Sequence, residues 1–284
     1  FNFRGIAEDD FEVKPLSSAS NTYSVTVTPD WLDELGLEYY FEAVEGISGV
    51  RHPANGFVYR RISVGSAETS IPFAPGFNGQ TTTYQMFSIP YVTEDKSVAG
   101  IFNEMGAYDR SLWRLFHYDG GSGKYLEYQA GLPNSIETGN GYWFNTKGAL
   151  QETIQAGAGT VVQAHQSDPY DLHLSPGWNQ IGNPYPFNVD WSAVIAGNDK
   201  VGELWSYRNG SYTKSNVLKP WAGAFVHADE ATTLPIPLTS KTTASGRTSD
   251  HEMEPDLDAA GWLLPLTFSI NGIEHVSGIG MHPD

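Results

Sequence analysis

Eight histidines, at 52, 117, 165, 173, 227, 251, 275 and 282, are the first side chains to ask about chemistry. Their spacing argues against it. None falls in an H-x-x-x-H or H-E-x-x-H pattern that would set two imidazoles on one metal, and no G-x-S-x-G turn raises a serine as nucleophile. There is no cysteine, so disulfides, thiolate metal sites and cysteine nucleophiles are excluded. "GGSGK" (120–124) has the glycines and lysine of a phosphate loop, but Tyr125 stands where Ser or Thr is needed and both flanks read as strands. It is a hairpin turn. "HEMEPDLD" (251–258) gathers His251, Glu252, Glu254, Asp256 and Asp258 without the glycine and terminal glutamate of an EF-hand loop. We read it as a solvated acidic loop. Glu254, Asp256 and Asp258 are the carboxylates that could meet Ca²⁺, and no other cofactor is expected. Among 33 acidic residues some pair will always have glycosidase spacing. Asp190 beside Trp191 and Glu203 before Leu204 are the suggestive positions, set against the plainer roles of turn acid and helix cap.

The aromatic content is the real excess, with 8 Trp, 15 Tyr and 14 Phe. Sugar-binding β folds expose a few flat rings that meet the C–H face of a pyranose while Asn, Asp or Gln take the hydroxyls. Trp113, Tyr142, Trp143, Trp178, Trp191, Trp205 and Trp221 could serve, against the competing use of such rings as core.

The elements that would position these side chains are mostly strands. "YSVTVTP" (23–29) alternates with period two, and "LEYYFEAVEG" (37–46) and "GFVYRRISVG" (56–65) are further strand segments. "PDWLDELG" (29–36) predicts one or two helical turns from Asp30 to Gly36. "KSVAGIFNEMG" (96–106) predicts a helix capped by Ser97, with Val98, Ile101, Phe102 and Met105 on one face and Gly106 ending it. The class is mainly β: tandem sandwich-like domains with a few short helices.

Three blocks recur in one order. Pro90-Tyr91 matches Pro184-Tyr185, "WRLFHYDGGSGKYLEY" (113–128) matches "GELWSYRNGSYTKS" (202–215), and "GNGYWFNTKG" (139–148) matches "PWAGAFVHAD" (220–229). This predicts two copies of one unit of about 75–85 residues, with Phe116/Trp205 and Trp143/Phe225 as matched core positions. Trp191 and Trp221 lack aromatic counterparts in the first copy, so with Asp190 they are the expected ligand-binding residues. The copies occupy 78–160 and 161–240. Residues 1–66 precede them, and 241–284 follow as an acidic loop and further strands.

Charge narrows the partners. With 16 basic and 33 acidic residues the formal net charge is −17, which repels nucleic acid and anionic membrane surfaces and favours cations, neutral glycans or basic partners. No apolar run approaches the length of a membrane-spanning helix. The chain opens at Phe1 inside a strand-like segment, so we expect it to be part of something longer.

"GWNQIGNPYPFNVDW" (177–191), with "WRLFHYD", "YLEY" and "GNGYWF" upstream and "GLEYYFEA" (36–43) before them, resembles the β-rich modules of large secreted and cell-surface proteins of Bacteroidota, cargo of type IX secretion. The resemblance implies an extracellular or cell-surface region, with an incomplete immunoglobulin- or fibronectin-like domain at 1–66 and an incomplete further β module at 241–284. With the duplicated unit, the lack of a nucleophile or metal motif and the negative charge, we expect a non-enzymatic β-module region with a structural, spacer or adhesion role. Its expected partners are other domains of the same polypeptide, and glycans or surface proteins. The alternatives are a carbohydrate-binding module using exposed tryptophan, or the ancillary region of a secreted hydrolase or protease.

Overall fold

β-Branched and aromatic residues that alternate with polar ones, interrupted by glycine and proline, give many short strands and little helix. The computed structural model describes residues 1–8, 10–19, 22–28, 31–45, 48–64, 69–72, 80, 82–147, 153–165, 168–208, 210–238, 263–270 and 273–280. These form several open, almost entirely antiparallel sheets with two four-residue α-helices. The chain is mainly β and sandwich-like, as its patterning predicts.

In the N-terminal part, β1 (Asn2–Gly5), β2 (Glu12–Val13), β3 (Gly36–Glu45), β4 (Ser48–His52) and β5 (Val58–Arg61) share a sheet ordered β2-β1-β3-β4, with β5 also on β3. Phe1, Phe3 and Leu37 form its small core under Trp31, Tyr39 and Phe41. The helix expected over 29–36 is corrected, with Pro29 and Asp30 outside the described residues. Asp33 turns the chain instead: its Oδ1 accepts from the amides of Leu35 and Gly36, each at 2.8 Å, and its Oδ2 accepts from Ala7. A side chain that offers the backbone such bonds competes directly with a helix. Gly36 starts a strand rather than stopping a helix. At φ +132° it lies where a Cβ would meet the Arg60 carbonyl oxygen at 2.0 Å.

The first repeated unit runs β6 (Ser70–Pro72), β7 (Gln85–Phe87), β8 (Val92–Thr93), α1 (Val98–Ile101), β9 (Trp113–Asp119), β10 (Lys124–Tyr128), β11 (Tyr142–Thr146) and β12 (Thr153–Gln155). The second runs β13 (Tyr170–Leu174), β14 (Gly177–Gly182), β15 (Val189–Asp190), α2 (Trp191–Val194), β16 (Leu204–Arg208), β17 (Ser211–Ser215), β18 (Gly223–Ala228) and β19 (Thr232–Ile236). The sheets are ordered β7-β11-β9-β10 and β14-β18-β16-β17, and the outer pairs β6–β12 and β13–β19 also correspond. Register agrees residue by residue. Met86 opposes Trp143 as Gln180 opposes Phe225, and Phe116 opposes Trp143 as Trp205 opposes Phe225.

Both helices begin in the same way. Ser97 Oγ accepts from Gly100 N at 3.0 Å, and Asp190 Oδ1 accepts from Ser192 N at 3.0 Å. Val98 and Ile101 fill the first core, and their equivalents Trp191 and Val194 fill the second. The expected helix over 96–106 is real but shortens at Phe102 into a 3-10 turn, Asn103–Met105, which Gly106 ends at φ +70°.

The units pack on one another through equivalent surfaces. Ser88 N donates to Trp221 O at 3.1 Å, and Gly182 N donates to Gly139 O at 2.8 Å. Ser88 corresponds to Gly182, and Trp221 to Gly139, so these are the same bond made twice. A Cβ on Gly141 would meet Ile181 O at 2.5 Å, and one on Gly223 would meet Phe87 O at 3.0 Å. Phe87 and Ile181 are again equivalent. At the centre, a Cβ on Gly182 would meet Ser88 Cβ at 2.3 Å, equivalent touching equivalent. That is an isologous twofold junction, the geometry of a symmetric dimer, built inside one chain.

Candidate functional site

Across this junction the two sheets meet in a cluster of Met86, Trp143 and Phe225, flanked by Tyr84, Phe116, Tyr118, Trp205 and Tyr207. Its ring pairs come in twofold copies. Tyr84–Trp143 and Trp178–Phe225 both lie at 6.4 Å, with interplanar angles of 86° and 83°. Tyr118–Tyr125 and Tyr207–Tyr212 lie at 5.1 and 5.2 Å, with angles of 67° and 65°. Tyr125 and Tyr212 are equivalent to each other, and each packs edge-on against its cross-strand tyrosine.

On one side the cluster opens. A cleft of about 370 Å³ is lined by Tyr118, Tyr125, Trp178, Trp205, Tyr212 and Phe225. β9 and β10 bring the first two, and β14, β16, β17 and β18 bring the rest. Trp178 (43% exposed), Tyr125 (54%) and Tyr212 (47%) stand out from it. Burial pushes the Tyr212 phenol up to about 12 and raises Tyr125 as well, so both hydroxyls stay protonated at neutral pH. The lining therefore offers ring faces, hydroxyls and indole N–H groups.

The edges carry charge in a swapped pattern. In the first unit Arg114 binds Glu127, Nε to Oε1 at 2.7 Å, and lies 4.6 Å over the Phe116 ring. At the equivalent places in the second unit the signs are reversed. Glu203 holds Lys214 at 2.5 Å, and that ammonium lies 5.5 Å from the Trp205 centroid. Burial pushes the Glu127 carboxyl up, but hydrogen bonds from Arg114, Arg110 and Tyr108 outweigh it and hold it down at about 2. The Glu203–Lys214 pair is solvent-exposed.

The expected ligand-binding residues lie elsewhere. Trp191 is corrected from a surface ring to a core one. It is 2% exposed, and its indole N–H donates to the Gly202 carbonyl at 3.1 Å. It lacks an aromatic counterpart because the second core is filled by one large ring where the first has Val98. Asp190 caps α2 beside it. Trp221 is half-buried against the first unit's core, with its ring 5.7 Å from Tyr91 and its backbone at φ +62°. It wedges the junction. Glu254, Asp256 and Asp258 lie outside the described residues. Trp143 and Phe225 are buried as expected, whereas Phe116 and Trp205 are half-buried. Trp113 and Tyr142 are core. The sequence groups Trp178 with these other rings; the Pro-Tyr offset of 94 also sets it opposite Tyr84, a signal that would have placed it at the junction.

No family model, no curated protein and no solved structure matches this chain. The cleft must be read from its own chemistry.

Proposed function

We propose that this chain is a recognition module of a larger secreted or cell-surface protein, in which two fused β units present one aromatic cleft to a ligand that they bind without transforming. One observation carries the reading. Of the five large apolar side chains that stand exposed among the described residues, three meet in this cleft: Trp178, Tyr125 and Tyr212. Scattered apolar side chains on a surface are ordinary, whereas a concave group of them is a binding surface. Rings raised on paired strands are also cheap to order, since each has two side-chain torsions. Protonated tyrosines supply hydrogen bonds and no general base, which favours binding over catalysis. The resemblance of 177–191 and its upstream blocks to secreted β modules supports the location.

The test is capture of labelled protein on arrays of glycans, lipids and modified peptides, wild type beside Trp178→Ala/Tyr212→Ala. Capture should fall at least about tenfold in the double variant, the loss of about 1.4 kcal/mol of ring contact, with thermal unfolding unchanged. Capture that survives the double substitution would place recognition elsewhere and end the proposal.

A further inference from the structure

The arrangement of the rings says what the cleft holds. A pyranose needs a flat aromatic platform flanked by amides or carboxylates. Here Phe225 forms a floor, and Tyr118, Trp178 and Tyr212 stand at 69°, 83° and 71° to it, with centroids at 5.7, 6.4 and 6.0 Å. Rings set this steeply give no single flat platform. Ring faces carry the negative lobe of the aromatic quadrupole, and a ring-walled cavity attracts a cation that has no N–H groups to leave unsatisfied.

Two further observations point the same way. The fold already seats its own cations on rings, with Arg51 at 3.9 Å from the Tyr40 centroid, Arg4 at 4.4 Å from Phe11 and Arg114 at 4.6 Å from Phe116. The charge swap also makes the second unit different at its rim. Arg114 is a planar guanidinium fixed on its ring by a buried carboxylate, whereas Lys214 is a flexible ammonium beside Trp205, held among the described residues by exposed Glu203. An ammonium has three donors, so Lys214 can keep Glu203 and still meet an anion. A bare cation in the cleft would be repelled by Lys214, while a zwitterion would satisfy both.

We infer that the cleft binds a phosphocholine group, with the trimethylammonium between Tyr118, Trp178, Tyr212 and Phe225 and the phosphate on Lys214. This rests on the reading of the cleft as a recognition site and names its ligand class. The experiment titrates the full chain with phosphocholine, with choline, and with the carbon isostere of phosphocholine in which tert-butyl replaces trimethylammonium, following tryptophan fluorescence and heat. Phosphocholine should bind at least about tenfold more tightly than the isostere, the scale of a desolvated cation–ring contact. Lys214→Gln should bring phosphocholine down to the affinity of choline, and Trp178→Ala should weaken both. Equal binding of phosphocholine and isostere, or no response to phosphocholine, overturns the inference. If array capture still depends on Trp178 and Tyr212 in that case, the recognition reading stands with another ligand; if it does not, both fall.

Discussion

Asp33 shows how one side chain can set both a turn and a pH response. Burial raises its carboxyl from the ordinary 3.8 to about 6, although the amides of Ala7, Gly36 and Leu35 pull it the other way. The folded protein thus holds this proton more tightly than the unfolded chain does. Its contribution to stability is full below about pH 4 and is lost as pH rises through about 6, amounting to about 3 kcal/mol at 1.36 kcal/mol per unit. Urea unfolding of the wild type and Asp33→Asn between pH 4 and 7 should show that fall in the wild type and a flatter profile in the variant. Parallel profiles would mean that Asp33 is not the titrating group. The sequence displayed this residue but not its role. "PDWLDELG" has a helical composition, and the approach of Ala7, in the turn after β1, to the same carboxylate could not be read from it.

At the scale of elements, the duplication was legible because paired strands keep register. Shifts of 94, 89 and 82 residues place Pro90, Tyr118 and Trp143 on Pro184, Tyr207 and Phe225, and the ladders put Tyr118 with Tyr207 and Trp143 with Phe225 in the same cross-strand positions. What alternation could not reveal was the neighbour of the outward faces. Phe116 and Trp205 read as core of their own sheets, yet with Tyr118 and Tyr207 they pack across the junction, where each unit supplies the other's opposing surface. The copies diverge most tellingly at Trp221. Its equivalent Gly139 has φ +88°, and Trp221 keeps this left-handed geometry at φ +62°. A non-glycine residue there costs roughly 1–2 kcal/mol, which the ring's contact with Tyr91 offsets. Trp221→Gly and Trp221→Ala both delete the ring, but only glycine relieves the backbone. Since glycine also loosens the unfolded chain, Trp221→Gly should be the more stable by about 0.5–1 kcal/mol in chemical denaturation. The reverse order would contradict a left-handed requirement at this place.

At the scale of the molecule, the N-terminal part does not stand aside from the repeats. Ile6, Leu35, Ile62 and Val64 belong to the same core as Leu172, Tyr185 and Trp191 of the second unit, and Ser63–Val64 pairs with Gly159–Thr160, which in turn pairs with β8. One chain thus binds a leading sheet and two equivalent units into shared cores. The cleft follows from that assembly, because it takes rings from both units and exists only while they are docked. Gly182 is the point on which docking turns, with Ser88 Cβ and the Asn140 carbonyl within 2.3 and 2.6 Å of any Cβ placed there. The most direct measurement is therefore equilibrium unfolding of Gly182→Val followed by tryptophan fluorescence, beside the wild type. Valine should force the units apart, lowering stability by several kcal/mol, as expected for overpacking against fixed backbone (about 1–3 or more), and exposing the rings of Trp143 and Trp178. A variant that unfolds at the wild-type midpoint with unchanged emission would show that the two units do not meet through this axis.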